Sequence, residues 1–180
     1  MRKLSVSELG RMDIEEFKTS KKIPLTVILD DVRSLYNVGS VFRTADAFRV
    51  ERIILCGITA TPEKSLVEIH KTALGAEESV EWIYSPDCFS IVKELNDNGY
   101  ITVAVEQVEN SVKLDKVVVD NTKRYALVLG NEVKGVNQNV VDICKYSLEI
   151  PQYGTKHSLN VSVSAGLVIW EFAKQLSNFY

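Results

Sequence analysis

Apolar residues along this chain follow two alternating rhythms. Short apolar runs at residues 25–29, 52–55, 80–84, 100–105, 124–129 and 146–150 have strand length and are bounded by Gly, Pro, Asn and Asp, which predicts strands. Between them the spacing turns helical. In residues 38–48 the apolar positions Val38, Val41, Phe42, Ala45 and Phe48 recur three or four apart, which predicts a helix with Asn37 as its N-cap. Further helices are expected near residues 66–74, from Pro86 through Ile91, Val92 and Leu95 to Asn98-Gly99, and from about Leu159 to Leu176. Residues 30–34 read as a turn and 59–62 as a loop.

Strands alternating with helices define an α/β protein with a mostly parallel sheet flanked by helices. The 180 residues suit one domain, expected over 23–180, preceded by an arm at 1–22 with a short helix around 7–17. The final helix carries Val161, Val163, Leu167, Val168, Ile169, Trp170 and Phe172 around most of its circumference. Such a helix must be covered on more than one side. It lies deep in the fold, or one face meets a second subunit; two-fold homodimers are the commonest oligomers.

A hydrophobic content of 46% with 25% charged residues is that of a soluble globular protein. No apolar run approaches membrane-spanning length, and the start carries no apolar signal core. No membrane partner is therefore expected, and a cytoplasmic protein is. Cys56, Cys88 and Cys144, with His70 and His157, form no metal-binding spacing and read as buried residues and isolated imidazoles. The net charge of −3 argues against a protein coated in basic surface. Local basic patches remain open to it: Lys18, Lys21 and Lys22 cluster before the first strand, and Arg33, Arg43, Lys134 and Lys156 fall in loops or on helix surfaces.

Two segments are built for a ligand. Leu129-Gly130-Asn131-Glu132-Val133-Lys134-Gly135 leaves one strand, and residues 150–161 leave another, through Ile150-Pro151-Gln152-Tyr153-Gly154 to Ser158-Leu159-Asn160-Val161. In open α/β sheets, ligands sit beyond the carboxyl ends of strands, so one shared pocket is expected. A glycine-rich pyrophosphate cradle is missing, with no GxGxxG and no GxxxxGK[ST]. A nucleoside can still bind through backbone from Gly130, Ile150 and Leu159. Glu132 is either a turn residue or a carboxylate orienting a substrate. Ser158 and Asn160 either cap the last helix or fix a hydroxyl-bearing substrate. Arg43, opposite the apolar stripe of its helix, is either a solvated partner of Asp46 or a guanidinium over a phosphate or ribose.

Taken together, Asn37-x-Gly39-x-x-x-Arg43-Thr44, Leu129-Gly130-Asn131-Glu132-x-x-Gly135 and Ile150-Pro151-x-x-Gly154-x-x-x-Ser158-Leu159-Asn160-Val161 resemble, in order and spacing, the motifs of SPOUT-class RNA ribose 2′-O-methyltransferases of the SpoU–TrmH branch. Within that branch, Val105-Glu106-Gln107, Pro151-Gln152 and residues 167–171 look closest to tRNA guanosine methyltransferases acting in the D-loop. The resemblance implies S-adenosylmethionine as methyl donor, RNA as substrate with tRNA ahead of rRNA, a deep C-terminal trefoil knot and a homodimer. By the same implication Gly130, Asn131, Ile150 and Leu159 contact the cofactor with Glu106 nearby. Arg43, helped by Asn37, Glu132, Ser158 and Asn160, faces the ribose. The competing expectations are a non-catalytic RNA-binding dimer of the same fold and a methyltransferase for a protein or small molecule.

Overall fold

The run at residues 25–29 lies near the middle of a sheet because its aliphatic residues, Leu25, Val27, Ile28 and Leu29, leave neither face suited to water. In the computed structural model, which describes residues 1–177, it extends into β1 (Ile23–Asp30), between β2 (Val50–Cys56) and β6 (Tyr125–Leu129). With β3 (Glu81–Ser85), β4 (Ile101–Val105), β5 (Val112–Lys113) and β7 (Tyr146–Glu149), they form one seven-stranded sheet in the order β3-β2-β1-β6-β4-β7-β5. Every pairing is parallel. Parallel sheets are covered on both faces, and here strand alternation divides the core in two. Leu25, Val27 and Leu29 join Phe42, Ile169 and Phe172 on one face; Ile28 joins Ala126, Val128, Val92 and Val140 on the other.

The helices are α1 (Ile14–Thr19), α2 (Leu35–Ala47), α3 (Pro62–Ala73), α4 (Ala76–Ser79), α5 (Cys88–Asp97), α6 (Gln138–Ile143) and α7 (Val161–Leu176). Two of the expected boundaries shift for identifiable reasons. Asn37 is not an N-cap: Ser34 is, its hydroxyl accepting the Asn37 N–H at 3.3 Å, so α2 begins two residues before Asn37. Asn37 is thereby buried and free to point sideways. The arm is not a single helix over 7–17 either. A 3-10 turn at Val6–Leu9 ends at Gly10 in a left-handed conformation, and α1 then buries Phe17 in the main core. The last three residues of the expected 23–180 domain lie outside the described residues.

Gly39 owes its place to packing. A Cβ there would meet the Ile69 carbonyl oxygen at 2.3 Å and the Thr72 hydroxyl at 2.2 Å, so only glycine lets α2 lie this close to α3. α7 buries Val161, Ala165, Val168, Ile169, Phe172, Ala173 and Leu176. Its other apolar side, Val163, Leu167 and Trp170, stays 41–49% exposed, with Trp170 tilted against Phe48 at 5.5 Å between centroids.

Candidate active site

The chain runs outward from β1 to β3 and then returns past β1 to β4, so the direction of winding reverses beside β1 and β6. The carboxyl ends next to such a reversal leave a crevice. Here it is a cleft of about 650 Å³ at the ends of β4, β6 and β7, within the roughly 300–1,000 Å³ of small-molecule sites.

One wall is the loop after β6. Asn131 and Gly135 exchange backbone hydrogen bonds at 3.1 and 2.9 Å, closing a narrow turn. The Asn131 carboxamide oxygen accepts the Val133 and Lys134 N–H groups, and its amide donates to the Asp31 carbonyl at 2.8 Å, pinning the turn to the end of β1. Both glycines are required. Gly135 sits at φ +69°, and a Cβ on Gly130 would lie 2.1–2.3 Å from the backbone of Gly135 and Val136. From β4, Glu106 accepts the Val136 N–H at 3.0 Å and the Gln107 N–H at 2.9 Å. The Asn137 amide reaches Asp30 at 3.1 Å, a carboxyl that burial holds above its ordinary pKa.

Glu132 joins this loop to α2. Its carboxylate accepts the N–H groups of Arg33 (3.1 Å) and Ser34 (3.0 Å) and the Asn37 amide (3.1 Å), while the Asn37 oxygen accepts the Asn160 amide at 3.1 Å. Asn160 also caps α7, accepting from the Ser162 N–H and hydroxyl. Three distant segments thus meet in one Glu132–Asn37–Asn160 chain at the cleft. Burial pushes the Glu132 carboxyl up, but the backbone donors and Asn37 outweigh it, leaving the pKa below the ordinary value. A carboxyl depressed in the fold stabilises the fold above its unfolded pKa, and that gain is lost as pH falls through the lowered value. Thermal unfolding of Glu132→Gln and wild type is therefore expected to converge between pH 6 and pH 3; an unchanged gap would remove this role.

Of the ten candidate residues, Glu106, Gly130, Asn131, Glu132, Ile150, Ser158, Leu159 and Asn160 line the cleft, and Asn37 is bonded to two of them. Arg43 does not line it. It lies six residues beyond Asn37, about 9 Å along α2 and a third of a turn away, exposed and without a partner among the described residues. Asp46 instead accepts the Ser79 hydroxyl at 2.6 Å. The resemblance over residues 105–107 includes Gln107 without giving it a role; its amide donates to the His157 carbonyl at 2.8 Å and ties the β4 exit to the loop after β7. Its place one residue beyond Glu106, at a strand's carboxyl end, was the available signal. Glu149, held by Ser111 and Lys113, also lines the cleft.

The cleft pairs an apolar slot of Leu129, Val136, Val141, Leu148 and Val161 with a rim of amides, carboxylates and backbone, the chemistry that takes a nucleoside with a polar tail. Metal chemistry has no ligand cluster among the described residues. No helix of the described residues is long and apolar enough to cross a membrane.

Fold and cleft together define an open-sheet α/β protein with a nucleoside-sized site at its carboxyl edge. The chain belongs to the SpoU rRNA Methylase family, which it matches over residues 24–170. It is 32% identical over 157 residues to the 23S rRNA (guanosine-2'-O-)-methyltransferase RlmB of Neisseria meningitidis, covering 84% of this chain and 59% of that protein. Among solved structures, the A. aeolicus TrmH/SpoU tRNA modifying enzyme superposes with a TM-score of 0.78 at 28% identity, covering 90% of this chain and 80% of that one. The AdoMet-bound rRNA methyltransferase of Sinorhizobium meliloti does so with a TM-score of 0.76 at 27% identity, covering 86% and 57%. The chain spans about three-fifths of the length of the curated relatives it matches.

Proposed function

We propose that this protein is an S-adenosylmethionine-dependent, cytoplasmic methyltransferase that acts on a ribose 2′-hydroxyl of RNA, tRNA in preference to rRNA. The observation that carries the reading is the Glu132–Asn37–Asn160 chain, which brings three separate motifs to one cleft. Family membership supports it, as do the ribose methylation in the name of the Neisseria relative and the AdoMet in the Sinorhizobium structure. The preference for tRNA, and for a D-loop guanosine, rests on the resemblance of residues 105–107, 151–152 and 167–171.

S-adenosylmethionine, held between the Gly130 and Ser158 loops, would supply an electrophilic methyl group. Ile150, Leu159 and Gly130 bind it through backbone, and Glu106, Asn131 and Gln107 keep the two loops in place. Ser158 and Asn160 orient the ribose. Arg43 stabilises the alkoxide that develops as the 2′-hydroxyl loses its proton to solvent water. A guanidinium is a permanent cation in water, so it acts by charge rather than as an ordinary base.

The same reading includes a homodimer through the exposed α7 stripe, and a trefoil knot formed by the two facing loops. Phe48, the C-cap of α2, touches Trp170 at the end of that stripe. Val163→Glu with Leu167→Glu is expected to give a monomer by analytical ultracentrifugation; an unchanged dimer would remove α7 from the interface. For the activity, purified protein with methyl-labelled cofactor and bulk tRNA or rRNA is expected to leave label on ribose. Absence of label in both RNAs overturns it, and RNA binding without label would mark the non-catalytic alternative.

A further inference from the structure

Isolated exposed tyrosines are ordinary on protein surfaces, but Tyr36 differs from that background in three respects. It immediately precedes Asn37, whose amide is bonded to Glu132 and Asn160 at the cleft, so its backbone adjoins the site. Its backbone is fixed from two directions. The Tyr36 carbonyl accepts the Ser40 hydroxyl at 2.8 Å and the Thr72 hydroxyl of α3 at 3.0 Å. The side chain itself is 52% exposed, with no hydrogen bond to its phenol among the described residues. The backbone is held while the ring is left open, which is how a stacking platform is made.

Two cationic residues, Arg33 and Lys134, accompany it, while the Glu132 carboxylate is taken up by the Arg33 and Ser34 N–H groups and the Asn37 amide. Arg33 lies three residues before Tyr36, with its backbone N–H on Glu132 and its exposed guanidinium unpaired among the described residues. By contrast Arg52 and Arg124 are engaged with Tyr100, Thr26 and Glu51. Lys134 stands on the facing loop. In a chain of net charge −3, an unpaired guanidinium three residues from an open aromatic ring, on the segment bonded to Glu132 and Asn160, suits one ligand chemistry well. A single-stranded nucleotide offers a π-face and a phosphate together.

Resting on the function proposed above, we propose that Tyr36 stacks on a base of the substrate RNA while Arg33 takes an adjoining phosphate. Together they hold an unpaired nucleotide over the Asn37–Glu132–Asn160 site. Both are binding residues, distinct from the group that handles the 2′-hydroxyl. The substrate class this implies is a loop or single-stranded segment, because a base inside a duplex has no free face.

The test uses the whole chain with unfractionated tRNA and a short oligouridylate, read by fluorescence anisotropy and by methyl transfer. Tyr36→Ala is expected to weaken binding of both RNAs about tenfold and to raise the KM for RNA by a similar factor. Tyr36→Phe retains wild-type values, since the ring is kept. Affinity for S-adenosylmethionine and the thermal midpoint stay unchanged in both variants, which separates RNA contact from folding. Arg33→Met, which preserves the backbone N–H to Glu132, lowers the slope of log affinity against log salt by about 0.7. The proposal is overturned if Tyr36→Ala binds RNA like wild type, if Tyr36→Phe is as impaired as alanine, or if Tyr36→Ala dissociates a dimer, which would make the ring a subunit contact. Because binding is read without turnover, a wild type that binds RNA but transfers no methyl group defeats the proposed function and leaves this contact to be judged by anisotropy alone.

Discussion

Replacing Arg43 with alanine is expected to slow methyl transfer to RNA by about 10²–10³-fold while leaving the protein folded and its cofactor affinity intact. The asymmetry follows from where the side chain stands. It is exposed, has no partner among the described residues and does not line the cleft. It also sits mid-helix, where alanine is the best helix former. Nothing in the fold depends on the guanidinium, so stability should stay within about 0.5 kcal/mol of wild type, and a large rate loss must come from the reaction. Arg43→Lys keeps the charge and loses the donor fork; it falls between the two if charge alone stabilises the alkoxide. Single-turnover rates with saturating RNA provide the measurement, and a loss smaller than threefold for alanine would remove Arg43 from the chemistry.

The same residue supplies a test of where the site is completed. Arg43 is a third of a turn from Asn37 on α2 and does not line the cleft of its own chain. If it serves the cleft of a second copy, an Arg43→Ala subunit mixed with a cleft-disabled Gly130→Ala subunit regains activity. One intact site forms per mixed dimer, about a quarter of the wild-type rate for random pairing of a two-fold dimer. If Arg43 serves its own cleft, the mixture stays inactive.

What could be read before the structure follows from the range over which each signal acts. Strands β1 and β6 and helix α2 announce themselves because their apolar periods are local and long enough to be distinctive. α4, α6 and β5, of four, six and two residues, are too short to show a period. Asn37 was legible as a polar residue at a helix start, but Ser34 is an equally good cap. The choice between them is made by Glu132, 95 positions away, which claims the Asn37 amide. The candidate residues themselves came from motif spacing, and most of them share the cleft. What spacing could not supply was their partners: that Asn131 is consumed in closing its own turn, that Glu106 holds the Val136 N–H, and that Gln107 latches the opposite loop. The Asn131 turn is a local preference of asparagine, but the Glu106 and Gln107 bonds join positions 30 and 50 residues apart, and no single-residue preference encodes them.

Gly130 carries the second large effect. A methyl group there would stand 2.1 Å from the Gly135 carbonyl carbon, 2.2 Å from the Val136 nitrogen and 2.3 Å from the Gly135 oxygen. All three are backbone atoms, so no side chain can swing away to make room. Relief requires opening the Asn131–Gly135 turn, and with it the Glu106 bond to Val136 and the Glu132 bonds to α2. Gly130→Ala is expected to cost about 1–3 kcal/mol of stability, a fall in Tm of roughly 2–4 °C for each kcal/mol in a chain of this size. The cleft wall is the part that moves, so S-adenosylmethionine affinity should drop further than stability does, by at least about tenfold, the factor that corresponds to 1.4 kcal/mol. Calorimetric titration of the cofactor beside a thermal melt separates the two. A Gly130→Ala protein with lowered Tm and unchanged cofactor affinity would mean that the loop serves the fold alone and that the methyl donor binds elsewhere.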